Sequence, residues 1–404
     1  MAIDLAGLPG GGSCTWMPWN ETNPVNERLK FAVDAQRGRS SMTELCEQYG
    51  ISRKTGYKLL RRYQEDGPEG LRDRSRAPRS HPNRTPDSTE AAILRMRKAH
   101  STWGSKKLLT VLERERPDLE LPARSTVDAI LKRAGLVALR AKRSRRKGRP
   151  APPIVPAHMP NDVWSIDYKG WFKVGDGTRC DPLTVNDVFS RMSLECRALV
   201  APKSPDVKDR LLELFYTYGL PSYMLSDNGP PFGSRGIGGL SRLSVWLMRL
   251  GIQPIFIQPG RPDQNGRHER FHETLKAETA RPPRSSIRAQ QRAFDRFQQC
   301  YNEERPHEAL DMRTPADVYV PSACTQVDDD SEHEYPGEFE VRKVRSDGAI
   351  KWMNKLVFIG EALSGETVGL QIIDDERCEV FLGVMKLGVL SERLRTVIPI
   401  HEPA

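Results

Sequence analysis

Apolar positions recur at helical spacing in two separate stretches of the chain, and each stretch breaks into three short segments. In the first, PVNERLKFAVDAQ, SSMTELCEQYG and ISRKTGYKLLRRYQEDG (24–36, 40–50 and 51–67) predict three helices, with Gly50 turning the chain after the second and Ser52 capping the third. Leu45, Ile51, Tyr57, Leu59, Leu60 and Tyr63 are expected to supply its apolar and mixed contacts. The rhythm then repeats in DSTEAAILRMRKAH, WGSKKLLTVLERERP and PARSTVDAILKRAGL, where Ser125 and Thr126 are expected to cap the last helix. Three helices with a tight turn before the third predict a helix-turn-helix unit, made twice. The start of the third helix is the part that such a unit presents to base edges. In the first unit that places Ser52, Arg53, Lys54, Thr55 and Lys58 there, and in the second Ser125 and Thr126. The alternative for each unit is a plain three-helix bundle with a charged face.

From residue 163 the period changes. Strands are expected at 163–171, 182–189, 193–199, 222–226 and 253–257, interleaved with helices at 206–218, 240–250, 263–280 and 286–302, an α/β pattern. Beyond 337, apolar and polar residues alternate around turn signals such as Asp347-Gly348 and predict a small C-terminal β barrel. Residues 1–20, rich in Gly and Pro, are expected to be disordered. The domain boundaries that follow are 21–70 and 87–137 for the helical units, 71–86 and 138–158 for basic linkers, 159–322 for the α/β core, 323–336 for an acidic linker and 337–400 for the barrel.

Charge sharpens this division. Residues 1–150 hold 31 Lys plus Arg against 17 Asp plus Glu, and the remainder holds 31 against 36, so a balance of +14 gives way to −5. A basic half joined to a mildly acidic core suits a polyanion-binding module tethered to an enzyme. In the first linker, Arg72, Arg74 and Arg76 are expected in an extended arm that follows phosphates or enters a minor groove, with a tether free of contacts as the alternative. Arg143, Arg145 and Arg146 belong to a second basic run, expected to hold backbone phosphate. The seven cysteines are scattered without a CxxC pair, which argues against a disulfide framework and a structural zinc site. With no apolar run long enough to span a bilayer, the expectation is a soluble, cytoplasmic protein with no membrane partner.

The candidate chemistry lies in three acidic residues. Asp167 in WSIDYKG and Asp227 in YMLSDNGP end apolar strands, where α/β folds place their chemistry, and Glu269 in NGRHERFHETLK opens a helix. Three converging carboxylates repel one another unless cations lie between them, and hard oxygen ligands suit Mg²⁺ or Mn²⁺. Two such ions can activate an attacking oxygen and stabilise a leaving oxygen at a phosphodiester. On the same helix, His268, His272, Glu273 and Lys276 surround Glu269, and Lys276 is expected to hold a phosphate or else to make a surface ion pair. Asn228 is expected to orient a carboxylate or a metal-bound water, and Gly229 to permit a tight turn.

The segments WSIDYKG, SDNGPPFGS, PGRPDQNGRHERFHETLK and YNEERPHEAL, followed by TPADVY, resemble in order the catalytic core of the DDE transposases of bacterial insertion sequences, within the retroviral integrase superfamily, over about residues 160–320. The resemblance implies an RNase H-like core, a pair of Mg²⁺ or Mn²⁺ ions, and metal-binding catalytic roles for Asp167, Asp227 and Glu269. One departure stands out: 41 residues separate Asp227 from Glu269, and at the shorter spacing of many family members this chain has Asp263. The HERFHETLK context favours Glu269, with the extra length assigned to the Gly-rich SRGIGGLSRLSVW. The resemblance further implies a transposase that binds the terminal inverted repeats of its element, cleaves to expose a 3′-OH and transfers that strand into double-stranded target DNA. Joining two ends implies at least a homodimer on DNA. The rival readings are a domesticated DNA-binding regulator and a metal-dependent nuclease without strand transfer.

Overall fold

A computed structural model describes residues 23–75, 84–137, 155–201, 204–258, 260–325, 327–328, 332–374, 376–391 and 396–399. Arg76, Arg143, Arg145 and Arg146, with the Gly-rich N-terminus and most of the second basic linker, lie outside them. The chain divides into two compact units, Met1–Arg84 and Thr85–Ala404.

In the first unit, helices α1 (Pro24–Arg37), α2 (Met42–Gln48) and α3 (Arg53–Asp66) enclose Phe31, Leu45, Cys46, Leu59 and Leu71. Reciprocal bonds between Ser41 and Glu44 start α2, Gly50 turns with a positive φ, and the Ser52 hydroxyl accepts from the Thr55 N–H at 3.2 Å to start α3. Arg53, Lys54, Thr55 and Lys58 are exposed, and so is Tyr57, which stands with them on the outer face instead of joining the core. Arg72 and Arg74 are not a free arm. They pair with Glu69 (3.0 Å) and Asp66 (2.9 Å) of the same unit, because acidic side chains at the end of α3 and in the following turn lie within reach. Gly56 sits where α3 presses on its neighbours. A Cβ there would lie 2.6 Å from Cys46 Sγ and 3.0 Å from the Phe31 ring. Gly56→Ala is therefore expected to destabilise this unit by about 1–3 kcal/mol, read as an earlier denaturant midpoint; an unchanged midpoint would show that the helices part freely.

The second unit begins with α4 (Asp87–Ala99), α5 (Ser105–Glu115) and α6 (Arg124–Arg133), packed around Ile93, Trp103, Leu108, Val127 and Ile130. Ser125 and Thr126 do not cap α6. The helix starts at Arg124, two residues earlier than a cap at Ser125 implies, its first hydrogen bonds run from the Thr126 and Val127 N–H groups to the Ala123 carbonyl, and both side chains fall inside the first turn.

The central sheet combines β1 (Val163–Tyr168), β3 (Arg179–Asp187), β4 (Ser193–Leu199), β5 (Tyr223–Ser226) and β6 (Gln253–Phe256), with β2 (Phe172–Lys173) continuing the line of β1 along β3. β1, β5 and β6 run parallel, while β3 is antiparallel to both β1 and β4. This mixed sheet with flanking helices is the α/β core that the sequence pattern predicts. The expected single strand 163–171 is broken at 169–171, ahead of β2. Parity along the strands sorts the two faces. Trp164, Ile166, Leu183 and Val185 pack under α7 (Ser204–Tyr218) and α8 (Arg242–Arg249). The opposite parity, Ser165 and Asp167 on β1 with Thr184 and Asn186 on β3, is polar and pairs across the strands. On that opposite side α9 (Gly266–Thr279) and α10 (Ile287–Gln299) bury Phe271, Leu275, Phe294 and Phe297.

The C-terminal strands do not close into a barrel among the described residues. β7 (Glu340–Lys343), β10 (Thr367–Asp374), β11 (Arg377–Leu382), β12 (Met385–Ser391) and β13 (Thr396–Pro399) form an open antiparallel sheet in the order 13-12-11-10-7. The hairpin β8 (Ala349–Trp352) with β9 (Lys355–Phe358) stays separate and supplies Ile350, Trp352 and Val357 to a shared core. That core takes in Leu240, Val245 and Met248 from the segment before and within α8. The Gly-rich stretch assigned to the extra length thus forms a seat for the C-terminal sheet: Gly238 leaves 3.5 Å from its would-be Cβ to both Leu387 and Met385. Among the described residues, no helix is long and apolar enough to cross a membrane.

Candidate active site

Register brings the two aspartates level. On the parallel pair β1 and β5, Val163 faces Tyr223 and Ser165 faces Leu225, and the same offset carried two residues further sets Asp167 beside Asp227. Neighbouring strands lie about 4.8 Å apart, so the two carboxylates leave adjacent strand ends on the same side of the sheet. Glu269 comes in from the first turn of α9, exposed, and its charge reaches Asp167. Burial, then the Asp227 charge, with Glu269 adding to them, push the Asp167 carboxyl up to about 7. Asp263 takes no part: its carboxylate is held by Arg261 at 3.0 and 3.1 Å in the loop before α9.

The neighbours of Asp227 have separate tasks. The Gly229 N–H donates to Asp227 Oδ1 at 3.1 Å, and a Cβ at residue 229 would lie 3.3 Å from Oδ2. Gly229 is needed there because the carboxylate folds back over it, not for a positive φ. Asn228 does not reach a carboxylate. Its side-chain amide donates to the Ile257 carbonyl at 2.6 Å, tying the loop after β5 to the end of β6.

His268 faces away from the opening. It is buried between the sheet and α9, with Nδ1 2.7 Å from Ser165 Oγ and Nε2 2.6 Å from Thr184 Oγ1. His272 places its Nε2 2.7 Å from the same hydroxyl, which also lies 3.1 Å from the Asp167 carbonyl. A threonine hydroxyl has one proton and two lone pairs. All of these contacts are satisfied when Thr184 donates to Asp167 O and both imidazoles donate from Nε2. Burial keeps both rings neutral, pushing His268 down to about 3 and His272 to about 2. The 3.9 Å approach of His272 Nδ1 to Asp167 Oδ2 is therefore not an ion pair. A lone pair faces a carboxylate there, and this favours a proton or a cation on Asp167.

Asn265, buried at the N-terminal end of α9, points its amide at Asp167 Oδ2 at 3.4 Å. Lys169 feels the Lys276 charge and is drawn by Asp167, Glu273 and Glu269, so it stands beside the carboxylates with Lys276 near it. Sequence reading singled out Lys276 but missed Lys169, Asn265, Ser165 and Thr184. The signal for the last two was present in the polar parity of β1 and β3.

Comparison with known proteins agrees with this organisation. Residues 157–262 and 250–315 match models of the integrase core domain, 27–79 a helix-turn-helix domain and 55–131 a homeodomain-like domain. A 39.2 kDa protein of insertion element IS476 from Xanthomonas euvesicatoria is 27% identical over 286 residues, covering 70% of this chain and 76% of that protein. A 31.7 kDa protein of insertion element IS407 from Burkholderia multivorans is 25% identical over 236 residues, 58% of this chain and 82% of the relative. Among solved structures, the HTLV-2 integrase catalytic core with magnesium aligns at TM-score 0.33 and 15% identity, over 41% of this chain and all of that one. A chain of a simian T-cell lymphotropic virus intasome in complex with PP2A regulatory subunit B56 gamma aligns at 0.36 and 15%, over 73% and 97%.

Proposed function

From an integrase core domain set behind helix-turn-helix domains, as in insertion-sequence transposases, we propose a DNA transposase that cleaves the terminal inverted repeats of its element and transfers the freed 3′ strand into target DNA. One observation carries the reading: two aspartates level on adjacent parallel strands, with a helix-borne glutamate whose charge reaches them. Asp167, Asp227 and Glu269 are the catalytic and metal-binding residues. The oxygen donor set fits a pair of hard divalent ions, Mg²⁺ or Mn²⁺, because Asp227 and Glu269 crowd Asp167 with negative charge that the Asn265 amide at 3.4 Å and Lys169 do not offset. When bound, such ions activate an oxygen nucleophile and stabilise the leaving oxygen of a phosphodiester.

The chain's own residues do the rest. Gly229 fixes the rotation of the Asp227 carboxylate, and Asn265 holds Asp167 at Oδ2. The Ser165, Thr184, His268 and His272 cluster clamps α9 to β1 and β3, setting the height of Glu269 above the aspartates. Lys169 and Lys276 hold the phosphate backbone across the opening. Arg53, Lys54, Thr55, Lys58 and Ser52 meet DNA from α3, which leaves recognition to the helical units and chemistry to the core. Two ends joined in one event require at least a dimer on DNA.

Incubating the protein with Mg²⁺, labelled terminal repeats and supercoiled target tests the reading. Joined products are expected. Cutting without joining would replace transposase by nuclease, and a metal-independent mobility shift alone would leave a DNA-binding regulator. For α3, Lys58→Ala is expected to weaken binding to all sequences alike and to lower the slope of log affinity against log salt by about 1. A loss confined to one base position would instead make Lys58 a base reader.

A further inference from the structure

Among the described residues two groups of His, Cys and acidic side chains converge. Asp167, His268 and His272 belong to the site above, while His100, Cys300 and Glu304 stand apart from it. His100 is the residue that ends α4, and Cys300 and Glu304 span the single π-helical turn that closes α10. That turn brings residues four apart onto one side, and the Arg305 N–H bonds back to the Cys300 carbonyl at 2.9 Å. Such turns inside or at the end of a helix are rare and concentrate at functional sites. His100 Nδ1 lies 3.8 Å from Cys300 Sγ, and Nε2 lies 4.0 Å from Glu304 Oε2. One imidazole nitrogen, the sulfur and one carboxylate oxygen all fall within 4.8 Å of one another. Tetrahedral zinc with ordinary bond lengths sets a sulfur and a nitrogen about 3.6 Å apart, so little movement is needed.

From this geometry we infer that His100, Cys300 and Glu304 form a site for a thiophilic divalent cation, Zn²⁺ by ligand type, that clasps the second helical unit to the catalytic core.

Two features favour it. The His100 ring is held in place by stacking on the buried Trp103, with centroids 3.8 Å apart and planes at 14°. Glu304 is 55% exposed, which gives solvent ions a way in. The same junction is already bridged by Thr102 donating to Glu278 on α9 and by Arg114 donating to the Met312 carbonyl at 3.0 Å. The clasp would therefore fix the second helical unit relative to α9, the helix that carries Glu269.

Co²⁺ titration of the full chain, stripped of divalent ions, tests the site, because cobalt bound to thiolate absorbs in the near ultraviolet and cobalt on carboxylate or imidazole does not. One thiolate-bound Co²⁺ per chain is expected, displaced by Zn²⁺ and not by Mg²⁺. Cys300→Ser removes the absorption. His100→Ala and Glu304→Gln weaken binding by at least about tenfold, a lower bound set by what outer-shell changes already cost. Cys324→Ser, at an exposed cysteine elsewhere, leaves the absorption unchanged. Absorption that survives in Cys300→Ser, or that never develops in the parent protein, overturns the inference. Co²⁺ at the carboxylate cluster lacks this signature, so the result is independent of whether the transposase reading holds.

Discussion

Glu269→Gln is expected to lower metal-dependent cleavage and joining by about a thousandfold or more, on the order of 4 kcal/mol, with DNA binding through the helical units intact. The side chain is exposed on the first turn of α9 and supports no packing. Its loss therefore reports on chemistry and not on folding, which a thermal melt of the variant checks. Asp227→Asn is expected to match it, and the double variant to be no slower, because ligands of one ion cluster act as a unit. Asp263→Asn is the decisive contrast. That carboxylate is bound to Arg261 outside the cluster, so the variant is expected to join strands at the parental rate. Labelled repeat ends incubated with Mg²⁺ and target DNA, scored for joined product, give all four rates. Normal joining by Glu269→Gln, or failure of Asp263→Asn, would move the third carboxylate to the loop and refute the assignment.

The parts of this arrangement that were legible in the sequence are those coded by short-range period. Each expected core helix and strand exists, with ends shifted by only a few residues in most cases, because apolar alternation in VWSIDY or the spacing of Phe271 and Leu275 is a local pattern. Position along a strand also told where a carboxylate could emerge, since Asp167 and Asp227 close runs of apolar residues. What escaped depends on which strand neighbours which. Thr184 reaches both histidines and Asp167 only because β3 pairs with β1 in a register that sets Thr184 opposite Asp167. Alternation predicted the C-terminal strands but also a barrel, whose closure requires β7 and β13 to meet, and among the described residues they remain the two edges of the sheet. Local capping logic failed at Ser125 because the chain enters α6 two residues earlier, with Ala123 at the cap position. Scattered cysteines argued against a structural zinc site, yet His100 and Cys300, 200 positions apart, come into contact, a proximity no spacing rule can register.

Asp167→Asn is expected to destroy activity and yet to stabilise the metal-free protein near neutral pH. The carboxyl is pushed from its ordinary 3.8 up to about 7 by burial and by Asp227 and Glu269, so between those values the folded chain keeps a proton that the unfolded chain has released. Stability therefore declines with rising pH through this window. The contribution of Asp167 is undiminished below about pH 4, and its penalty is fully developed above about pH 7. A displacement of this size corresponds to a penalty on the order of 2–4 kcal/mol. Asparagine has no charge to desolvate and still offers an oxygen to the Asn265 amide, so the variant escapes the penalty. The stability difference between variant and parent should open from near zero at pH 4 to its full value above pH 7. A saturating divalent cation should reverse the order at pH 7.5, since it binds the folded parent and adds RT ln(1 + [L]/Kd) that the variant cannot collect. Chemical denaturation of both proteins at pH 4.5 and 7.5, with and without Mg²⁺, measures each term. A variant less stable than the parent at pH 7.5 without metal, or a difference that does not change with pH, would mean that the charge at Asp167 is already neutralised by the protein and that the cluster has no need of a cation.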